Sequence, residues 1–132
     1  MKKLLILLFL LPNISLSSVY FTEAETLYKN CNSSKIENTT FCLGFIGAVF
    51  DGLIREHHFK KIAIKKDDPD YQACKTNRVS SLSQVVEVVN QWLTENPRKR
   101  ADSAEAVVDD VLTVWLECGS KGAIEYLKEN GY

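Results

Sequence analysis

The stretch Phe41 to Asp51, reading FCLGFIGAVFD, limits more than any other what this chain can fold into. Phe41, Cys42, Phe45, Ile46, Val49, Leu53 and Ile54 recur at three- and four-residue intervals, the spacing that lays one side of an α-helix onto a core. The pattern predicts a helix from about Thr40 to His58. Inside it Gly44, Ala48 and Gly52 stand four apart and form a ridge with almost no side chain. Each glycine costs roughly 1 kcal/mol against alanine in a helix interior, so the ridge implies close approach of a second helix backbone. On this reading the helix is the central post of a small all-α domain. Asp51 and Arg55, four apart, are expected to pair on its surface.

Met1 to Leu11 joins two lysines to an unbroken apolar run, and Ser15 and Ser17 follow Pro12 at the minus-three and minus-one spacing of a cleavage site. That is the pattern of a secretory signal peptide over 1–17, cut near Ser17 or Ser18. The run is far short of the ~20 residues that span a bilayer, and no later stretch is apolar for longer. The mature chain, 18–132, is expected to be exported, free of the membrane, and a single domain with a modest core. Loss of Lys2 and Lys3 makes the formal charge of −1 two units more negative, and the one basic cluster is Arg98, Lys99 and Arg100. Nothing in that balance argues for nucleic acid.

Cys31, Cys42, Cys74 and Cys118 make an even count in an exported chain, which reads as two disulfides with three connectivities open. Zinc is the competing reading. It is disfavoured because no two cysteines have CxxC spacing and the only histidines, His57 and His58, are adjacent.

A first helix is expected from Thr22 to Asn30, opened by a Thr22/Glu25 capping box, with Cys31 at its end. Asn32 to Thr39 is polar and reads as a loop returning the chain to Cys42, so the two cysteines face each other across a helical hairpin. Phe59 to Val79, rich in Lys and Asp with Pro69, reads as a long irregular excursion. Ser81 and Gln84 make a second capping box, before a helix whose apolar face is Leu82, Val85, Val86, Val89, Trp92 and Leu93. Asn96 and Pro97 read as the cap and first residue of the next helix, whose stripe is Ala101, Ala104, Val108, Val111, Trp115 and Cys118. Gly119 is expected to stop it and Ser120 to cap a short last helix ending at Gly131. Trp92 and Trp115 are read as core anchors. A short connection at Pro97 pairs the two flanking helices antiparallel and brings Cys74 toward Cys118. The expected pairs are therefore Cys31 with Cys42 and Cys74 with Cys118, in a disulfide-stapled bundle of four to five helices.

No catalytic constellation is visible: no nucleophile has an identifiable base and orienter, and the carboxylates are scattered over helix faces. No enzyme activity, cofactor or metal is expected.

The ordered motifs resemble a known family. Leu27, Tyr28 and Cys31, then Cys42, Gly44, Phe45, Ile46 and Gly47 with Asp51 four residues on, look like the Rap/Tai family of type VI secretion immunity proteins. Cys74, Val79, Ser81, Gln84-Val85, Val88, Trp92, Leu93, Asn96-Pro97 and Cys118 continue the family's order. The chain departs from the pattern in lacking a proline after Cys74, in reading Glu117-Cys118 where the family has Pro-Cys, and in fourteen residues after Cys118. The resemblance implies a periplasmic, often homodimeric helical protein that occludes the cleft of a secreted peptidoglycan amidase. Two surfaces are candidates for that contact. One is the turn Thr94, Glu95, Asn96, Arg98 and Lys99 at the tip of a hairpin; the other is an acidic face of Asp102, Glu105, Asp109 and Asp110. The rival function is a small periplasmic chaperone of the acid-activated holdase kind, which would expose apolar surface as pH falls.

Overall fold

Ala104, Val107, Val108, Val111, Leu112, Thr113 and Leu116 are all buried, so the helix that carries them, rather than the glycine-notched one, is the post of the fold. The computed structural model describes residues 22–64 and 67–132. The leader expected over 1–17 and its cleavage point lie outside the described residues. Five α-helices appear in order: α1 (Ala24–Cys31), α2 (Ile36–Ile64), α3 (Leu82–Glu95), α4 (Ala104–Leu116) and α5 (Lys121–Glu129). 3-10 turns occupy Thr76–Arg78 and Pro97–Ala101, and the described residues hold no strand. The all-α bundle is as expected.

Leu27 of α1, Ile46 of α2, Val85, Val89 and Leu93 of α3, and Val107, Val108, Leu112 and Leu116 of α4 form one continuous core. Both disulfides have the expected partners, Cys31 with Cys42 and Cys74 with Cys118, with Cα atoms 5.1 and 4.3 Å apart. The first closes the α1–α2 hairpin. The second ties the segment before α3 to the end of α4.

Several element boundaries differ from expectation, each for a local reason. α1 begins at Ala24, and Glu23 rather than Thr22 is its cap, without a side-chain bond. Thr22 is occupied elsewhere: its carbonyl accepts from the Ala104 amide at 2.7 Å, while Asp102 accepts from the Ala24 amide at 2.9 Å. This two-bond clasp joins the starts of α1 and α4. It also breaks the helix expected to run on from Pro97, because the 3-10 turn must end at Asp102 before α4 can start at Ala104. Ala101 therefore sits exposed in that turn instead of heading the buried stripe.

α2 starts earlier and ends later than the apolar pattern implied. Ser33 Oγ accepts from the Lys35 amide and from Asn38 Nδ2, closing a short turn from which the helix grows at Ile36. In its first turn Ile36 and Glu37 are exposed and Asn38 and Thr39 half-buried. At the other end α2 continues through Phe59 to Ile64, and the irregular stretch is the shorter one between α2 and α3.

The Ser81 cap is present, with its hydroxyl accepting from the Gln84 amide at 3.2 Å, and Gln84 Oε1 reaches back to the Ser80 amide at 2.8 Å. Ser120 caps α5 by accepting from the Ala123 amide at 3.3 Å. α4 is ended two residues before the expected glycine. Glu117 takes left-handed φ and ψ of 51° and 52°, and the amides of Glu117 and Cys118 bond the carbonyls of Val114 and Thr113 in a Schellman turn. Gly119, at φ +92°, then pairs its backbone with Gln72, and a side chain there would meet the His57 ring at 3.1 Å.

The expected packing of the small-residue ridge is not found. Built Cβ atoms at Gly44 and Gly52 meet nothing within 4 Å, and only Gly47 has a neighbour, Leu82 at 3.5 Å. α2 buries Cys42, Ile46 and Leu53, which lie on the opposite side from the ridge. A helix that is apolar nearly all round contains two candidate faces, and periodicity alone does not say which one meets the core.

Candidate partner-binding surface

The turn between α3 and α4 is built rigidly from backbone outward. Asn96, expected to cap the helix that follows, instead closes α3: its amide and its Nδ2 both donate to the Trp92 carbonyl at 2.9 Å. Pro97 opens the 3-10 turn, where its fixed φ and missing amide cost nothing. Thr94 Oγ1 donates to the Asn90 carbonyl at 2.8 Å, and Glu95 accepts from Gln91 at 2.9 Å.

Arg100 holds the turn from below. Its Nε donates to the Leu93 carbonyl at 2.8 Å, and its guanidinium lies 3.6 Å from the centre of the Tyr28 ring. Lys99 leans over the Tyr132 ring at 4.8 Å and reaches Asp102 at 3.8 Å. Arg98 is exposed, and among the described residues it has no ion-pair partner. Of the turn residues singled out from sequence, Thr94, Glu95 and Arg98 face solvent, whereas Asn96 and Lys99 are half-buried and already engaged.

The acidic candidates do not form one face. Asp109 and Glu105 line an open groove of about 550 Å³ between α2 and α4, together with Glu56, Arg55, Phe59 and the ridge residues Ala48 and Gly52. Burial, helped by the charges of Asp110, Glu56 and Glu105, pushes the Asp109 carboxyl up to about 6. Asp110 turns the other way, toward Tyr132; burial raises its carboxyl and the Tyr132 hydroxyl opposes that rise. Asp102 pairs with Lys99.

Trp92 and Trp115 are half-buried rather than central. They line a shallow apolar groove between α3 and α4, one end of which is filled by Tyr132. The expected Asp51–Arg55 ion pair is absent: both side chains are exposed and neither reaches an opposite charge among the described residues. Arg100, Tyr132 and Glu56 were not singled out by sequence reasoning. The Arg98-Lys99-Arg100 run hinted at the first and the i, i+4 spacing to Lys60 could have marked Glu56, whereas Tyr132 is placed by long-range contacts.

All four cysteines are consumed in disulfides, and no cluster of three or more metal-ligating side chains occurs among the described residues. No described helix is long and apolar enough to cross a membrane. The fold and its surface define a small, cystine-tied helical protein with a braced turn and open grooves. The model of the Rap1a immunity proteins matches residues 23–118, and the chain belongs to that family. No curated protein and no solved structure matches it. The match ends at Cys118, so α5 and Tyr132 lie beyond the shared unit.

Proposed function

We propose that this chain is a periplasmic immunity protein that neutralises a secreted peptidoglycan amidase by covering its catalytic cleft, and that it works as a homodimer. Family membership supplies the role of immunity protein. The amidase target, the type VI route and export through a leader over 1–17 are our reading. The single observation that carries the contact surface is Arg98. Among the described residues it is an exposed cation without an ion-pair partner, projecting from a 3-10 turn whose neighbours Asn96, Lys99 and Arg100 are each fixed by bonds or ring contacts. A protruding group on a braced turn loses little freedom on binding, so most of its interaction energy is kept.

The test is Arg98→Glu, with binding to a secreted peptidoglycan amidase of the same organism read by calorimetry. Because Arg98 reaches no opposite charge among the described residues, melting of the free protein should not move, and affinity should fall by about 1 to 3 kcal/mol. Unchanged affinity removes the turn from the interface. Lys99 is a poorer probe, since reversing it also disturbs Tyr132 and Asp102.

A further inference from the structure

We infer that the open groove between α2 and α4 is a second docking site of this chain, and that it takes an arginine-bearing segment of the partner with an apolar residue beside the arginine. The inference rests on the reading above only for which protein carries that segment; the chemistry of the groove comes from the chain itself.

The floor is apolar and uncovered. Val49 and Leu53 of α2 line it, and the small residues Ala48 and Gly52 keep it wide, giving a volume of about 550 Å³, in the range of pockets that hold a ligand. A Cβ built on Gly52 meets no atom within 4 Å. Glycine weakens a helix interior, and among the described residues no contact calls for one there. At the rim the Phe59 ring is 61% exposed.

The wall supplied by α4 is acidic and uncompensated. Glu105 and Asp109 stand four positions apart, about 6 Å along the helix axis, and among the described residues neither has an ion-pair partner. Lys60 is held by Glu56, and Arg55, which also lines the groove, reaches no carboxylate among the described residues. Asp109 is half-buried in this setting, and burial, with the like charges of Asp110, Glu56 and Glu105, pushes its carboxyl up to about 6.

Floor and wall together select the occupant. An uncharged segment pressed into the groove would bury the two carboxylates without partners, a cost that apolar contact alone does not offset. A cation removes that cost. Arginine suits both surfaces, because its aliphatic stem covers apolar floor while its planar head offers donors to two carboxylates a turn apart. The room left by Ala48 and Gly52 is room for that stem, and the exposed Phe59 ring receives the apolar neighbour. Asp102 ends the Arg98 turn and Glu105 lies in the first turn of α4 just after it, so one partner can span both sites.

Two titrations of the oxidised mature chain at about pH 7.5, where Asp109 is ionised, test this. In the first, nuclear magnetic resonance follows the backbone amides as a short peptide with one arginine between two leucines is added, and then its glutamine counterpart. The arginine peptide should shift the amides of Gly52, Glu105 and Asp109, and the glutamine peptide should leave them in place. In the second, calorimetry measures binding to a secreted peptidoglycan amidase of the same organism. Glu105→Gln/Asp109→Asn and Gly52→Leu should each weaken that binding about tenfold or more. Neither should cost stability: the first removes like-charge repulsion, and the second puts a better helix former into open space. A groove that ignores the arginine peptide, or binds the glutamine peptide equally, overturns the inference. So does an amidase complex indifferent to both variants, which leaves the immunity reading standing. If the amidase does not bind the unaltered chain, the target proposed above fails, and the peptide titration alone decides the groove.

Discussion

Tyr132 lies flat on Trp92, with ring centroids 4.9 Å apart and planes 6° from parallel, while the Lys99 ammonium lies 4.8 Å from the centre of the same tyrosine ring. The segment beyond the family's shared unit thereby folds back over the α3–α4 groove and braces the end of α3 next to the Asn96-Pro97 turn. Tyr132→Ala should expose Trp92, seen as a red shift in tryptophan emission, and should lower stability by about 1 kcal/mol. Tyr132→Phe should keep most of both. Emission unchanged in the alanine variant would mean that the stack does not persist in solution.

Asp109 sits half-buried among Glu56, Glu105 and Asp110, and its carboxyl is raised from 3.8 to about 6. A raised carboxyl favours folding most where it is protonated. Its contribution is full below its ordinary value near 3.8 and is lost as pH climbs through about 6. Taken whole the difference is worth ~3 kcal/mol, and water in the open groove screens it to about 1. Asp109→Asn should therefore raise stability at pH 7.5 by about 1 kcal/mol and change nothing at pH 3.5. Denaturant melts at the two values check it, and a stabilisation equal at both would point to packing instead.

His57 has the opposite sign. Its Nδ1 lies 2.6 Å from the Tyr71 hydroxyl, and partial burial holds its pKa below the usual imidazole value of 6.5, with Glu56 opposing that shift and the Lys60 charge adding to it. Neutral His57 supports folding above pH 6.5, and that support is withdrawn as pH falls below it. Replacing it with phenylalanine should flatten the loss of stability between pH 6.5 and 5, measured by urea titration. An undiminished slope would assign the acid sensitivity to other groups.

The two disulfides should differ in worth. Cys74–Cys118 closes a loop of 44 residues and Cys31–Cys42 one of 11. In the chain-entropy model these contribute about 4 and ~3 kcal/mol respectively. Against a total stability of about 5 to 15 kcal/mol, Cys74→Ala/Cys118→Ala should be the more damaging double variant. Equal losses would show that native-state contacts, rather than loop length, decide the effect.

The parts of the fold legible in sequence were those set by local chemistry. The Ser81 and Ser120 caps, the buried Val85, Val89 and Leu93 of the α3 stripe, though not its exposed Leu82, and the cysteine pairing all follow from residues close in the chain or from short connections. What escaped depended on partners far away. Thr22 gives up its capping role because its carbonyl is claimed by Ala104, and that same clasp shortens α4. α2 offers apolar residues on nearly every side, and its small-residue ridge, expected to meet a second helix backbone, has no atom within 4 Å of the Gly44 and Gly52 side-chain positions among the described residues. At the candidate surface, the exposed turn was legible from Asn96-Pro97. The roles of Arg100 and Tyr132 were not, since each is defined by a ring brought from elsewhere in the fold.

The most direct measurement is a titration of peptidoglycan hydrolysis by a secreted peptidoglycan amidase of the same organism with the purified, oxidised protein. If the chain covers the amidase cleft, activity falls linearly and reaches zero at one protein per enzyme. Full hydrolysis in the presence of a several-fold excess of folded protein would contradict the account.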